Sequence, residues 1–146
     1  MSCDARTELL RLGRSLIRRK RFAIFGSADW KKNFPSEPGV YAIWDKDTSL
    51  PVYVGQTSNI KWRMGDLGRL VNHTFRQKVA KLLNLTSGDE VALSEKMSKR
   101  FVSAFIPVTL GRIELEDYLR LRWQHSLYSR LPKRLLRSKR YDWVKS

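Results

Sequence analysis

The sequence predicts an α+β domain in which a small, largely antiparallel three-stranded sheet is flanked by helices. Two short runs rich in β-branched and aromatic residues, 39–44 and 52–54, are separated by a turn-forming segment, which is typical of a β-hairpin. The segments around the hairpin place apolar residues three and four positions apart, as amphipathic helices do. With 146 residues, of which 42% are hydrophobic, the chain has material for one core.

The N-terminal segment predicts an amphipathic helix. Its leucines recur at helical spacing along one face, at positions 9, 12 and 16. The run 18–21 is entirely basic, and cations at the end of a helix are stabilised by its dipole. Residues 22–25 have the composition of a further short strand. We expect residues 1–36 to form a basic helix and linker packed on the main domain, which we place at residues 37–132.

Two helices are expected between the hairpin and the last strand. Ser58 or Asn59 can cap the first and Thr74 can cap the second, because their side chains accept hydrogen bonds from the first helical turn. The apolar positions of the first helix are Ile60, Met64, Leu67 and Val71, and those of the second are Phe75, Val79, Leu82 and Leu83. A polar stretch from Gly88 then leads to the third strand.

The third strand is expected at residues 102–108, and the last long helix from Thr109 or Gly111 to about Leu127. Asp and Glu cluster in the opening turns of this helix, where the helix dipole stabilises negative charge. Residues 133–146 form a basic C-terminal tail, which either grips a nucleic-acid backbone or packs back against the sheet.

The charge balance is the strongest bulk feature of the chain. It carries 29 Lys and Arg against 14 Asp and Glu, which gives a formal charge of +15 and an isoelectric point near 10.5. So many like charges destabilise a compact fold by self-repulsion unless a polyanion neutralises them. We therefore expect a nucleic-acid partner, with an anionic membrane surface or an acidic protein as the alternatives.

The chain lacks the sequence patterns of several common sites. It has no Gly-rich phosphate loop and no nucleophile elbow. Its single cysteine, Cys3, and its two histidines, His73 and His125, do not match a zinc site, and its acidic residues are too scattered for a two-metal nuclease. With one cysteine and no apolar run of about 20 residues, we expect a cytoplasmic protein without a disulfide-linked partner or a membrane association. The oligomeric state stays open.

A pair of tyrosines on the hairpin forms the most specific motif. Residues 39–41 are Gly-Val-Tyr and residues 53–55 are Tyr-Val-Gly. If the strands pair about Asp47, Tyr41 and Tyr53 lie opposite each other on one face of the sheet. The two phenols would then point at one spot, and the flanking glycines would let a phosphate approach closely.

This hairpin resembles the GIY-YIG nuclease family, whose pattern is Gly-Ile-Tyr, ten or eleven residues, then Tyr-Ile-Gly. Here eleven residues separate the two triplets. Arg63, His73 and Glu116 stand at the places of the arginine, histidine and glutamate that follow in the family. The resemblance covers about residues 37–132. The late asparagine of the family has no counterpart, because the last asparagine of this chain is Asn84.

The resemblance implies a metal-dependent DNA endonuclease that hydrolyses a phosphodiester bond. Tyr41 would orient or deprotonate the attacking water, and Tyr53 would hydrogen-bond the same water or the phosphate. Arg63 would clamp the phosphate, because a guanidinium binds two of its oxygens as a fork. His73 would relay a proton or donate a hydrogen bond to the phosphate, and Glu116 would hold one Mg²⁺ or Mn²⁺ ion.

Each of these residues also has a structural interpretation. The two tyrosines suit the core of any sheet, Arg63 suits the surface of a helix, and His73 suits a helix boundary. Glu116 can pair with Arg112 or Arg120 at four-residue spacing, and Glu114 is a rival metal ligand.

Further cations and aromatic side chains are candidates for contact with nucleic acid. Lys46, Lys61 and Arg76 are expected to bind it in the same groove, with duplex DNA as the first choice. The five tryptophans are expected mainly in the core, with Trp143 of the basic tail as the best exception. The tryptophans are Trp30, Trp44, Trp62, Trp123 and Trp143.

Two other functions stay open. The missing asparagine favours a DNA- or RNA-binding module on the same scaffold, with catalysis lost. The basic charge is also typical of an RNA- or ribosome-associated protein with purely structural tyrosines. That interpretation gains most if Tyr41, Tyr53, Arg63 and Glu116 do not line one cleft.

Overall fold

Four strands form one antiparallel sheet in the computed structural model, which describes residues 1–67, 73–85 and 89–145. The strands are β1 (Phe22–Ala23), β2 (Gly39–Asp45), β3 (Leu50–Thr57) and β4 (Phe101–Pro107). Their order in the sheet is β1-β4-β2-β3, so β3 is an edge strand. The α+β class predicted from the sequence is confirmed.

The number of strands predicted for the sheet was too low by one. Phe22 and Ala23 of β1 pair with Ser103 and Val102 of β4, so the segment after the N-terminal helix completes the sheet. The composition of residues 22–25 indicated a strand, but a pairing of two residues is too short for alternation to reveal its partner.

Helices surround the sheet on both faces. They are α1 (Cys3–Arg18), α2 (Ile60–Asp66), α3 (Thr74–Leu82), α4 (Glu90–Arg100), α5 (Arg112–Arg122), α6 (Lys133–Arg137) and α7 (Asp142–Lys145), with 3-10 turns at Trp30–Asn33 and Lys139–Tyr141. α4 was not predicted, because only Leu93 and Met97 are buried along it and two apolar positions give a weak periodic signal. α5 ends before the predicted Leu127, since the chain turns at Trp123.

Alternation along β2 divides the core into two clusters on opposite faces of the sheet. Val40, Ala42 and Trp44 pack with the apolar side chains of α1 and α5. Tyr41 and Ile43 pack with those of α2, α3 and α4. Because side chains of a strand alternate between faces, the position of Tyr41 in β2 places its phenol among the second group of helices.

The register of the hairpin differs by two residues from the predicted one. Pairing about Asp47 was predicted to set Tyr41 against Tyr53, but Tyr41 pairs with Gly55 and Tyr53 pairs with Ile43. Next to the turn, Asp45 pairs with Leu50, which is one residue further along β3 than the predicted register gives. A β-bulge between Ile43 and Trp44 then shifts the register by a second residue. A shift of two residues preserves the face, so the two rings still lie side by side, with centroids 6.0 Å apart.

The helices that follow the hairpin begin at polar caps. The side chain of Asn59 accepts a hydrogen bond from the N–H of Trp62, which confirms one of the two predicted caps for α2. The predicted cap Thr74 was wrong, because His73 occupies that position in front of α3. Leu82, predicted to be buried, is exposed. The predicted positions Val71 and Gly88 lie outside the described residues.

The basic C-terminal segment packs back onto the domain. Trp143 stacks on Tyr118 of α5 with ring centroids 5.5 Å apart, and Arg6 of α1 lies over its ring. Leu135 and Tyr141 join the same core. Among the residues described, no helix is both long and apolar enough to cross a bilayer.

Candidate active site

The centre of the candidate site is a buried hydrogen bond between Tyr41 of β2 and His73. The Tyr41 Oη and His73 Nε2 atoms are 2.8 Å apart, and these residues are only 1% and 0% exposed. The Nδ1 atom of the same ring lies 3.1 Å from the backbone nitrogen of Phe75. Because a backbone N–H only donates, Nδ1 accepts, and the proton of the neutral ring is on Nε2. His73 therefore donates to the Tyr41 hydroxyl.

His73 stays uncharged at neutral pH. Burial, assisted by the positive charge of Arg63, lowers the pKa of His73 from 6.5 to about 3. This lowered pKa does not suit the predicted role of a proton relay that titrates near working pH. With both ring nitrogens bonded to protein groups, His73 caps α3 and orients Tyr41.

The environment of Tyr41 also differs from the expected one. Burial and the neighbouring Tyr53 phenol raise the pKa of Tyr41 well above its ordinary value, although Arg63 opposes this shift. Abundant cations do not lower this pKa, because desolvation of a fully buried phenol outweighs one nearby guanidinium. Tyr41 is therefore a neutral hydroxyl beneath the surface, and the expected role of water-deprotonating base does not suit it.

Tyr53 and Arg63 form the accessible part of this cluster. Tyr53 is half-buried, and the Arg63 side chain is 27% exposed. Burial opposes the charge of Arg63, but interaction with the Tyr41 and Tyr53 phenols raises its pKa overall, so the guanidinium stays cationic. Asp66, one helical turn further along α2, pairs with it at 3.3 Å. The structure thus brings together four of the five predicted catalytic side chains.

Gly55 of β3 leaves room for the phenol of Tyr41, its partner across the strands, to lie against the backbone of β3. A β-carbon added at Gly55 would lie 2.7 Å from the Tyr41 hydroxyl oxygen and 2.8 Å from its Cζ atom. Real β-carbons essentially never come so close to another heavy atom, so only glycine fits here. The glycine of the second triplet is therefore required by packing against the first tyrosine.

Glu116, the fifth predicted residue, lies at the open edge of β3. It belongs to α5, which packs on the opposite face of the sheet from Tyr41. Its Oε2 atom accepts a hydrogen bond of 2.7 Å from the backbone N–H of Gln56, the residue after Gly55. This contact and the packing of Gly55 on Tyr41 together keep the carboxylate within about 10 Å of the Tyr41 hydroxyl.

Arg120 and Ser129 lie close to Tyr53 at the edge strand β3. Arg120 pairs with Glu116 at 3.7 Å, one turn along α5, as the four-residue spacing allowed. Arg120, Ser129 and Tyr53 all line one small cavity at this edge. The Ser129 hydroxyl is buried and has no hydrogen-bond partner among the described residues. Sequence reasoning did not assign these two residues to the site.

The three predicted nucleic-acid contacts have different outcomes. Lys61 is exposed on α2, two residues before Arg63. Lys46 is exposed beyond the far end of β2, about 16 Å along the strand from Tyr41. Arg76 was wrongly predicted: it is fully buried and donates to Leu67, Glu90 and Ser94, so it ties the helices of this face together.

Glu116 is also the candidate ligand for a metal ion. In the part of the chain that the structure describes, no group of three or more His, Cys, Asp or Glu side chains is placed to bind one ion. Mg²⁺ nevertheless accepts a single protein carboxylate, because it keeps several waters and takes further oxygens from phosphates. Burial raises the pKa of Glu116, with Arg120 and the Gln56 N–H opposing, so a nearby cation would stabilise its anionic form. The donor chemistry at Glu116 therefore fits one hard divalent cation.

The rival ligand, Glu114, is directed elsewhere. It lines a groove between α1 and the start of α5 and lies 4.0 Å from Arg140.

Compared with models of known protein families, with curated proteins and with solved structures, the chain matches none of them.

Proposed function

We propose that this protein is a metal-dependent DNA endonuclease of the GIY-YIG type. The observation that carries the proposal is the cluster in which Arg63 and Tyr53 reach the surface above the buried Tyr41–His73 pair. A guanidinium beside a phenol offers fork-like and single hydrogen bonds to the oxygens of one phosphate group. The formal charge of +15 favours a polyanionic substrate.

The accessible residues act on the phosphate itself. Arg63 binds phosphate oxygens and stabilises the negative charge that develops as a water oxygen attacks phosphorus and the bond to the leaving sugar oxygen breaks. Tyr53 hydrogen-bonds the attacking water or the phosphate. Tyr41 and His73 act through Tyr53 and Arg63, because they are buried and hold these two side chains in position.

Glu116 completes the site from the edge of β3. It would hold a Mg²⁺ ion, which supplies positive charge to the phosphate when bound. The upper limit of about 10 Å between Glu116 and the Tyr41 hydroxyl is a span that one phosphate group and a hydrated ion can cover. Arg120 neutralises the carboxylate in the absence of such an ion.

A plasmid-nicking assay with Mg²⁺ tests this proposal. The wild-type protein is expected to nick DNA, and Glu116→Gln, which keeps an acceptor for the Gln56 N–H, is expected to lower the rate by about 100-fold or more. Glu114→Gln, two residues earlier on the same helix, is the matched control and keeps wild-type activity. Equal nicking by wild type and Glu116→Gln would refute the assigned role of Glu116.

A second candidate function is a nucleic-acid-binding module without catalysis. It is favoured by the burial of Tyr41 and by the place of Glu116 on α5, which packs on the opposite face of the sheet from Tyr41. It is also favoured by the two Glu116 oxygens, which already contact Gln56 and Arg120. It predicts that wild-type protein binds DNA or RNA tightly, yet cleaves neither with Mg²⁺ nor with Mn²⁺.

A further inference from the structure

Trp62 is the most exposed of the tryptophans. Its exposed fraction is 80%, whereas Trp30 and Trp44 are buried. Trp123 and Trp143 pack on other aromatic rings. No ring of the described residues packs on Trp62. Tryptophan is rarely left so open to water, and the core does not require it here.

α2 presents Trp62 as an isolated ring on a cationic surface. Its other large apolar side chains, Ile60 and Met64, are fully buried on the opposite side of the helix. Lys61 and Arg63 flank Trp62 in the sequence, and the 3-10 turn that carries Lys31 and Lys32 packs against α2. The acidic groups nearby are Asp66, which pairs with Arg63, Asp29, which pairs with Lys32 at 3.5 Å, and Glu37, whose backbone carbonyl accepts from the N–H of Ile60.

We propose that Trp62 is a stacking platform for an unpaired nucleobase. The preferred substrate is then DNA with single-stranded or unstacked nucleotides next to the scissile phosphate, bound more tightly than an uninterrupted duplex. This rests on the proposed function, since the same helix turn carries Arg63. A base presents a π-face to an indole only when it has left the stack, and flanking cations hold the phosphates on either side.

The surroundings of Trp62 favour a base over other occupants. A tryptophan that anchors a protein interface is usually ringed by further apolar contacts, and a membrane anchor needs an apolar face. Among the described residues, the other exposed large apolar side chains lie outside α2, namely Ile17, Leu50, Leu82, Val91, Leu110, Ile113 and Leu136. A single ring among lysines and arginines matches a nucleobase flanked by phosphates.

Equilibrium binding of labelled oligonucleotides without metal tests the proposal. The probes are a forked duplex with unpaired thymines, the same fork with abasic sites in place of those thymines, and a blunt duplex. Wild-type protein is expected to bind the thymine fork about 10-fold more tightly than the abasic fork, because both carry the same phosphates. Trp62→Ala is expected to remove this difference, and Trp62→Phe to retain part of it.

Leu110→Ala is the matched control, because Leu110 is 88% exposed on the loop before α5. It keeps the 10-fold preference, and all variants bind the blunt duplex within about twofold of wild type. An equal affinity of wild-type protein for both forks overturns the proposal, as does a preference that survives in Trp62→Ala. Because binding is measured without metal, this assay tests the preference for unpaired bases independently of cleavage. Absence of cleavage with Mg²⁺ would refute only the proposed nuclease activity.

Discussion

His73 shows at the scale of one residue how the candidate site is held in shape. Its two ring nitrogens connect the start of α3 to Tyr41 in β2, so one side chain joins a helix cap to the centre of the cluster. The sequence predicted His73 as a site residue from its position after Arg63. Its role as a neutral positioning group could not be predicted, because the pKa depends on burial and on the charge of Arg63.

The buried neutral His73 predicts an acid-sensitive stability. Its pKa is about 3 in the folded protein, below the ordinary 6.5, so between these values the unfolded chain binds a proton that the folded chain does not. This stabilising contribution is complete above pH 6.5 and is lost as the pH falls toward 3. Between pH 7 and pH 5 the free energy of unfolding should fall by about 2 kcal/mol through His73.

Urea unfolding at pH 7 and pH 5 measures this loss. His73→Asn, which keeps a side chain able to cap α3, should unfold more easily at pH 7 and lose less stability on acidification than wild type. His125→Gln is the control, because it removes the other histidine of the chain at an exposed position. Identical pH dependence in wild type and His73→Asn would contradict the buried neutral state.

The β2–β3 hairpin shows at the scale of elements what a pattern does and does not determine. Alternation predicted that Tyr41 and Tyr53 share a face, and this is confirmed. The two-residue shift in register could not be predicted, because a bulge leaves no period in the sequence. The consequence is that Gly55, rather than Tyr53, faces Tyr41 across the strands.

Two glycine substitutions test this packing. Gly55→Ala is expected to destabilise the protein by about 2 kcal/mol, because its β-carbon would overlap the buried Tyr41 phenol. Gly65→Ala in α2 is the matched control: its β-carbon would meet nothing within 4 Å, and alanine favours a helix, so stability should rise by about 0.5–1 kcal/mol. Thermal unfolding of both variants measures the difference. A stable Gly55→Ala protein would argue against the described contact with Tyr41.

Charge is the property of the whole molecule that matters most for function. The excess of 15 positive charges follows from composition alone. Composition does not predict which of these cations are exposed and can bind a phosphate. Arg76 has the same chemistry as Arg63, yet it is buried between α3 and α4. The helix α4 was not predicted from the sequence. Likewise Glu116 was predicted as a ligand, whereas its position at the edge of β3 depends on how α5 packs.

The net charge predicts a steep dependence of DNA affinity on salt. Each phosphate contacted by Lys or Arg contributes about −0.9 to the slope of log affinity against log salt concentration, because condensed counterions are released. We expect a slope steeper than about −4 for double-stranded DNA, measured by fluorescence anisotropy between 50 and 200 mM salt. A slope near zero would show that the charge excess does not serve phosphate binding.

In the proposed function Arg63 stabilises the phosphate during bond cleavage, and single-turnover cleavage at saturating DNA with Mg²⁺ measures this stabilisation. Arg63→Lys keeps the charge but loses the fork of donors, so the cleavage rate should fall at least about 100-fold while the dissociation constant for DNA changes by no more than about threefold. An unchanged cleavage rate at saturation, or a lowered rate that excess DNA fully restores, would contradict this role of Arg63.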